Sequence, residues 1–350
     1  MRKTRQIQVG NVKVGGGAPI SIQSMTNTDT ADCVATLHQI DQLAAAGCQI
    51  VRCAVQNHVS LEAFGEICRL SPIPVVADIH FDHTLAIGAL ECGAACVRVN
   101  PGNLPSEKAA REVARKAAQM GRPVRIGVNL GSLSKGAEAR YGRTPEAMVE
   151  SAMQYVRLFE EEGCFALKAS LKASDVRITV SACRMFAERT DIPLHLGITE
   201  AGPVSCGIVK SAVGIGALLL DGIGDTIRVS LTAHPVEEIK AALRILEATG
   251  LRKAKPEIIS CPTCARTRID LMHLVSEVER AIDELKASGH KFKVGSIAVM
   301  GCEVNGPGEA SNADIGIAGA ANKQGILFRK GRKIATLESG ELLSALLKEI

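Results

Sequence analysis

Three cysteines and one carboxylate in the last third of the chain have a spacing that could do chemistry. Cys261 and Cys264 form a Cys-x-x-Cys pair in SCPTCART. Cys302 follows 38 residues after Cys264 in MGCEVNGPGEA, and Glu309 comes seven residues later, across the turn-forming NGPG. Such a pair can be half a zinc site, a redox dithiol, a disulfide or one corner of an iron–sulfur cluster. A thioredoxin-type dithiol has no need of Cys302. Structural zinc is normally closed by four Cys or His ligands, and neither residue type follows Cys302. Three thiolates suit three irons of a [4Fe–4S] cluster, leaving the fourth iron for a hard, exchangeable oxygen ligand such as a carboxylate. Spacing favours the cluster and leaves zinc open.

A second set of reactive side chains lies earlier. Arg52, Arg98, Arg125, Lys168 and Arg228 each sit in a short apolar run, where a packed core would not want them. They are accompanied by Asp78 and His80, Asn100, Asn129, Ser170, His195, Thr199 and Ser230, at the same or a neighbouring run. Gly127, between Arg125 and Asn129, leaves room for the deeper Arg125 to extend upward. Any one of these residues is equally well a solvated or ion-paired group. Five cations converging on one mouth repel each other unless a polyanion is bound. Arginine also suits bidentate phosphate contacts. The expected ligand is a small phosphorylated substrate carrying a diphosphate.

The elements that must position these groups follow from the pattern of the chain. Short apolar runs at 19–25, 49–55, 74–80, 96–100, 123–129, 165–170, 193–199 and 226–232 alternate with amphipathic stretches. In one of these, Thr144 is placed to cap a helix, with Pro145 in its first turn and Gly163 after its end. Eight strand–helix units in about 230 residues predict a (β/α)8 barrel over residues 1–250. A doubly wound sheet is the alternative, but no strand is followed by G-x-G-x-x-G. Catalytic groups of such a barrel belong at the C-terminal strand ends. After LRKAKPE (251–257) the rhythm changes. A helix at about 269–288, a strand, a Gly/Asn-rich loop, a hairpin turning at Lys-Gly and a last helix predict a small α+β domain over 251–350.

Composition excludes other classes. A net charge of +4 and 3% aromatic residues argue against nucleic-acid binding. The basic N-terminus is not followed by an apolar signal segment. The most apolar stretch, 207–220, is too short to span a bilayer and predicts a buried helix. Twelve cysteines without an export signal point to a reducing cytoplasm and free thiols or metal ligands. The nine outside the triad are expected to be small core residues.

SIQSMTNTDTAD, VVADIHFD, VRVNPGN, RIGVNLGSL, HLGITEAG, DGIGDTIRVSLT, ISCPTCART and GCEVNGPGEA together resemble the 4-hydroxy-3-methylbut-2-enyl diphosphate synthases of the non-mevalonate isoprenoid pathway. The likeness runs through nearly the whole chain. It implies a dihydropteroate-synthase-like TIM barrel followed by an iron–sulfur domain, in the two-domain bacterial form. It implies Cys261, Cys264, Cys302 and Glu309 as ligands of a [4Fe–4S] cluster. It further implies Arg52, Arg98, Arg125, Lys168, Arg228 and Ser230 around the diphosphate of 2-C-methyl-D-erythritol 2,4-cyclodiphosphate. Asp78, Asn100, Asn129, His195, Glu200 and Asn305 would line the rest of the site, with Glu200 or His195 managing protons. The family reaction is a two-electron reductive ring opening with loss of water, its electrons supplied by ferredoxin or flavodoxin. A pterin- or folate-binding barrel with a structural zinc site is the alternative reading; a zinc-ribbon module for nucleic acid is a more distant one.

Topology adds an expectation about assembly. The eighth barrel helix, at about 235–249, ends at the face away from the site. The linker 251–257 spans at most roughly 25 Å, while climbing back past the barrel wall takes about 22 Å. The small domain is therefore expected to serve a partner's barrel, in a head-to-tail homodimer, as the family resemblance also implies.

Overall fold

The computed structural model describes residues 1–253 and 255–350, without the side chains of Pro307 and Glu309. The chain divides into two compact units, Met1–Leu251 and Arg252–Ile350.

In the first unit a hairpin, β1 (Ile7–Val9) and β2 (Val12–Val14), precedes eight parallel strands. These are β3 (Ser21–Met25), β4 (Ile50–Val55), β5 (Val75–Ile79), β6 (Cys96–Val99), β7 (Val124–Asn129), β8 (Leu167–Lys172), β9 (His195–Leu196) and β10 (Thr226–Ile227). Neighbours pair in chain order from β3 to β8, and β10 pairs with both β3 and β9. A parallel bridge between Ala169 and Leu194 brings β8 to the start of β9 and closes the ring. The expected (β/α)8 barrel is present. Its last two strands are much shorter than the runs that predicted them, so Arg228 and Ser230 lie just beyond β10.

The helices between strands bury one face each. In Pro145–Glu161, Met148, Ala152, Tyr155 and Phe159 are buried, spaced to fall on one stripe. Thr144 Oγ1 accepts from Ala147 N–H and Gly163 follows at φ 78°, the capping that the sequence predicts. The apolar helix Val204–Leu220 departs from expectation. Gly207, Ser211, Ile215 and Leu218 are buried, but Val209, Val213 and Leu220 are 60%, 57% and 75% exposed. Cys206 on the same helix is exposed as well, so it is not a core residue; Cys48, Cys53, Cys96, Cys164 and Cys183 are buried as expected.

The β1–β2 hairpin was not among the predicted elements. Ile7, Val9 and Val14 pack on Ile50, Val76, Ala95 and Cys96, at the N-terminal ends of the barrel strands, and so plug the end opposite the mouth. Its turn is Gly10-Asn11, with Gly10 at φ 58°, and the alternation of IQVGNVKV carried the signal.

The second unit is a five-stranded sheet ordered β11 (Glu257–Ser260), β12 (Ser296–Met300), β13 (Ile315–Gly319), β14 (Gln324–Arg329) and β15 (Arg332–Glu338). The first three are parallel and the last two antiparallel. Helix Leu271–Ala287 links β11 to β12 and buries Leu271, Leu274, Val278 and Ile282 against Ile297, Val299, Ile315 and Ile317. Lys330 and Gly331 turn the final hairpin with both φ values positive.

Candidate functional site

The barrel register gathers charge into one row. Asp78 pairs with Arg98, Arg98 with Arg125, and Arg125 with Lys168, across β5 to β8. Residues in register on parallel strands share a face, so one carboxylate and three cations project inward along one row, which steps along the barrel axis with the tilt of the strands. Four residues further along the same two strands, Asn129 pairs with Lys172.

Asp78 ties the row together. Its carboxylate accepts from Arg98 Nη1 at 3.1 Å, and lies 3.6 Å from Arg52 Nε and 3.5 Å from His80 Nε2. Burial alone would raise the Asp78 pKa. Arg52, the hydrogen bond to His80, Arg98 and Arg125 outweigh that and hold it well below the usual carboxylate range. Asp78 is therefore a fixed anion among cations. Arg228 has its own partner, Glu238 from helix Pro235–Ala248, at 3.4 Å, and Ser24 Oγ donates to the same carboxylate at 2.8 Å.

Arg52, Arg98, Arg125, Lys172, Arg228 and Ser230 border a narrow hole of about 60 Å³. A wider cavity of about 300 Å³ shares Asn129 and Thr199 with it and adds His80, Asn100, Asn103 and Glu200. Glu200 stands at φ 53°, a conformation that a non-glycine residue holds only when its surroundings impose it. Asn100 Nδ2 donates to Ser132 Oγ at 2.6 Å, and Asn103 Nδ2 lies 3.1 Å from His80 Nδ1.

Two predicted residues lie deeper than the mouth. Lys168 is fully buried, its amine has no hydrogen-bond partner, and it does not border the hole. Burial pushes its pKa down to about 8, against Cys96, which raises it, and with Arg125 and Arg52, which lower it. His195 is buried, with Nδ1 2.9 Å from Thr226 Oγ1 and Nε2 unpartnered. Burial first, then Lys172, Arg125 and Lys168, hold it well below 6.5, so its ring is neutral at neutral pH. Gly127 does make room, but for a different tenant than expected: Arg98, not Arg125, crosses it, and a Cβ there would lie 2.6 Å from Arg98 Nε.

In the second unit, Cys261 lies just after β11 and Cys302 just after β12, on adjacent parallel strands. Gly301 N–H donates to Cys261 Sγ at 3.3 Å, and Cys302 Sγ lies 3.9 Å from Asn305 Oδ1. Asn305–Glu309 forms one wide helical turn closed by Ala310 N–H on Asn305 O at 3.2 Å; such turns recur at functional sites. The Glu309 side chain lies outside the described residues. Among the described residues no three His, Cys, Asp or Glu side chains are grouped to hold a single metal ion. A cubane sets a different demand, because each thiolate holds its own iron.

Comparison with known proteins decides the family. Residues 4–243 match the model of the GcpE TIM-barrel domain, and residues 257–350 that of the GcpE protein C-terminal domain. The chain belongs to the GcpE family. It is 53% identical to the 4-hydroxy-3-methylbut-2-en-1-yl diphosphate synthase (flavodoxin) of Geobacter sulfurreducens, over 99% of this chain and 97% of that protein. A protein of the same name from Caldanaerobacter subterraneus subsp. tengcongensis is 51% identical over 100% and 97%. Among solved structures, the dihydropteroate synthases of Yersinia pestis and Thermus thermophilus each give a TM-score of 0.51, at 13% and 16% identity. They cover 71% and 70% of this chain, and 99% and 98% of their own. That likeness shows the barrel fold alone and lends nothing to a pterin-binding reading.

In this GcpE chain the barrel unit brings together Arg52, Asp78, Arg98, Asn100, Arg125, Asn129, Glu200, Arg228 and Ser230, at or beside the two cavities. Asn305 and the three cysteines stand in the other unit. Lys172 was missed, although it borders the hole that Lys168 does not. The apolar run ends at Ser170, whereas β8 continues to Lys172, extending the alternation Lys168, Ser170, Lys172. Glu238, the counter-ion of Arg228, was also missed; it comes from a helix, where a glutamate ordinarily faces solvent.

Proposed function

We propose that this GcpE protein converts 2-C-methyl-D-erythritol 2,4-cyclodiphosphate to (E)-4-hydroxy-3-methylbut-2-enyl diphosphate. The change takes up two electrons and two protons, breaks the ring C–O bond to phosphate and releases one water. The observation that carries this reading is the hole bordered by Arg52, Arg98, Arg125, Lys172 and Arg228, two of which share Asp78 as counter-ion. So dense a set of cations fits the two phosphates of one small molecule.

The barrel residues hold the diphosphate and offset the charge that grows on its leaving oxygen. Because these donors are fixed before the reaction, they need no reorganisation as the bond breaks. Asn100, Asn129 and Glu200 in the wider cavity face the carbon skeleton, and Glu200 supplies a proton to the departing hydroxyl. The neutral His195 lies beneath the site and serves to fix Thr226 and the floor. Lys168 acts from below by adding positive charge, without direct contact.

Cys261, Cys264, Cys302 and Glu309 are the residues that would hold a [4Fe–4S] cluster. The soft thiolates and the N–H donated to Cys261 Sγ suit it. When bound, the cluster supplies single electrons and a Lewis-acidic iron. Asn305, whose Oδ1 lies 3.9 Å from Cys302 Sγ, would stand next to the group those cysteines hold. Flavodoxin, named in the relatives, is the donor of choice, with ferredoxin equivalent in chemistry. The protein works in the reducing cytoplasm, where its thiols persist; among the described residues no helix is long and apolar enough to cross a membrane.

The complete site forms in a head-to-tail homodimer. Helix Pro235–Ala248 returns from the mouth of the barrel to its far end, and the short linker that follows leaves little reach back to it. The partner's cysteine unit therefore serves each mouth. Metal analysis of anaerobically purified protein tests the cofactor: about four irons with acid-labile sulfide per chain support it, and stoichiometric zinc without sulfide overturns it.

A further inference from the structure

The three cysteine-bearing segments meet around Gly301. Gly301 N–H donates to Cys261 Sγ at 3.3 Å, and its carbonyl accepts from Arg268 N–H at 2.8 Å. Cys302 is the next residue. Cys264 opens a tight turn in which Thr267 N–H donates to Cys264 O at 3.0 Å, while Thr267 Oγ1 accepts from Cys264 N–H at 3.1 Å. The Thr267 side chain rests against Gly301: a Cβ at that glycine would stand 3.0 Å from Thr267 Oγ1 and 3.1 Å from its methyl carbon. From the other side, a Cβ on Gly319 would lie 2.7 Å from Gly301 O. A side chain at Gly301 would press on Thr267 and one at Gly319 on the Gly301 carbonyl, so the two glycines let the Cys264 turn and β13 approach this segment closely.

We propose that Thr267 is a positioning residue for the cluster, clamping the Cys264 turn onto the Gly301–Cys302 segment so that the three thiols keep one spacing. The proposal rests on the cluster reading given above. Its physical basis is that a ligand's outer partners fix its orientation and tune the group it holds. The Cys264 turn is exposed, with no core packing to hold it. Without the Thr267 hydroxyl the Cys264 N–H turns to water, and the turn is free to drift from Gly301. The electronic consequence follows from the same geometry: cluster potentials respond to hydrogen bonds at sulfur and to solvent access, both set by how closely the two segments pack.

The test uses the full-length protein, reconstituted anaerobically with iron and sulfide. Thr267→Val keeps the shape and removes the hydroxyl; Thr267→Ser keeps the hydroxyl and trims the methyl. Three quantities are read: the rate of iron loss to a chelator, the EPR spectrum of the reduced cluster and its midpoint potential. Thr267→Val is expected to lose iron about 10-fold faster, with a shifted EPR signal and potential, while Thr267→Ser stays near wild type. A Val variant indistinguishable from wild type in all three overturns the proposal. So does a Ser variant as impaired as Val, which is also the deciding comparison if Val takes up no cluster. Wild-type protein that binds no iron and sulfide overturns the cluster reading itself, a result distinct from an intact wild-type cluster left unmoved by Thr267→Val.

Discussion

Arg98 lies across the bare α-carbon of Gly127 on the neighbouring strand, and from there its guanidinium reaches Asp78 at 3.1 Å. A methyl group at position 127 would stand 2.6 Å from Arg98 Nε, so Gly127→Ala should displace the arginine. Loss of one charge-assisted phosphate contact is worth about 1.5–3 kcal/mol, or about 10- to 150-fold in affinity. Calorimetric titration with the cyclic diphosphate should show that loss, while the visible spectrum of the cluster stays unchanged. Wild-type affinity in Gly127→Ala would mean that Arg98 does not contact the substrate.

The lysines predict a proton taken up on binding. Burial, then Arg125, Arg228 and Arg52, hold Lys172 well below the usual lysine range, and Lys168 is pushed down to about 8. A bound diphosphate raises both, because it adds attraction to the charged form. Since the pKa is lower in the free protein than in the complex, binding takes up protons between the two values. Affinity should therefore fall as pH rises through about 8 and beyond. Titrations at about pH 8.5 in buffers of different ionisation enthalpy should give net uptake, reduced in Lys172→Met. Binding with no proton exchange across this range would contradict the charge states described for the site.

Much of this was legible in the sequence, and the gaps have physical causes. The eight strand–helix units, the five cations and the cysteine triad stood out because alternation, misplaced charge and ligand spacing are local signals. Register is not local. Which side chains of β8 border the hole depends on where the strand ends and how it is staggered, so a run ending at Ser170 leaves out Lys172. In the same way, spacing along β7 showed that Gly127 makes room but could not show that its tenant comes from β6. Glu238 carried no strand signal at all. The exposed face of Val204–Leu220 escaped notice because an apolar composition does not say which of its residues are covered.

Glu309 carries the exchangeable ligand position in the proposed cluster. Glu309→Gln should weaken retention of the fourth iron and lower turnover strongly, and Glu309→Cys should give a closed, inert cluster. Iron content and Mössbauer spectra of the variants check this. A Glu309→Ala protein with full iron and wild-type turnover would remove the residue from the mechanism.

Shared sites in a head-to-tail dimer predict complementation. Arg228→Ala disables the barrel and Cys302→Ser the cluster, each alone giving an inactive protein. Mixed under conditions of subunit exchange, the two should form hybrids that pair one intact barrel with one intact cysteine unit. Recovered turnover is the expected result. If mass spectrometry confirms exchange and the mixture stays inactive, each site is built within one chain.

A single turnover measures the proposed reaction most directly. Reconstituted protein, the cyclic diphosphate and reduced flavodoxin are combined under anaerobic conditions, and the products are followed by phosphorus NMR and mass spectrometry. The cyclic diphosphate is expected to disappear as (E)-4-hydroxy-3-methylbut-2-enyl diphosphate forms, one molecule for each pair of electrons consumed. Persistence of the cyclic diphosphate, with the cluster intact and the donor able to reduce it, would rule out the proposed reaction.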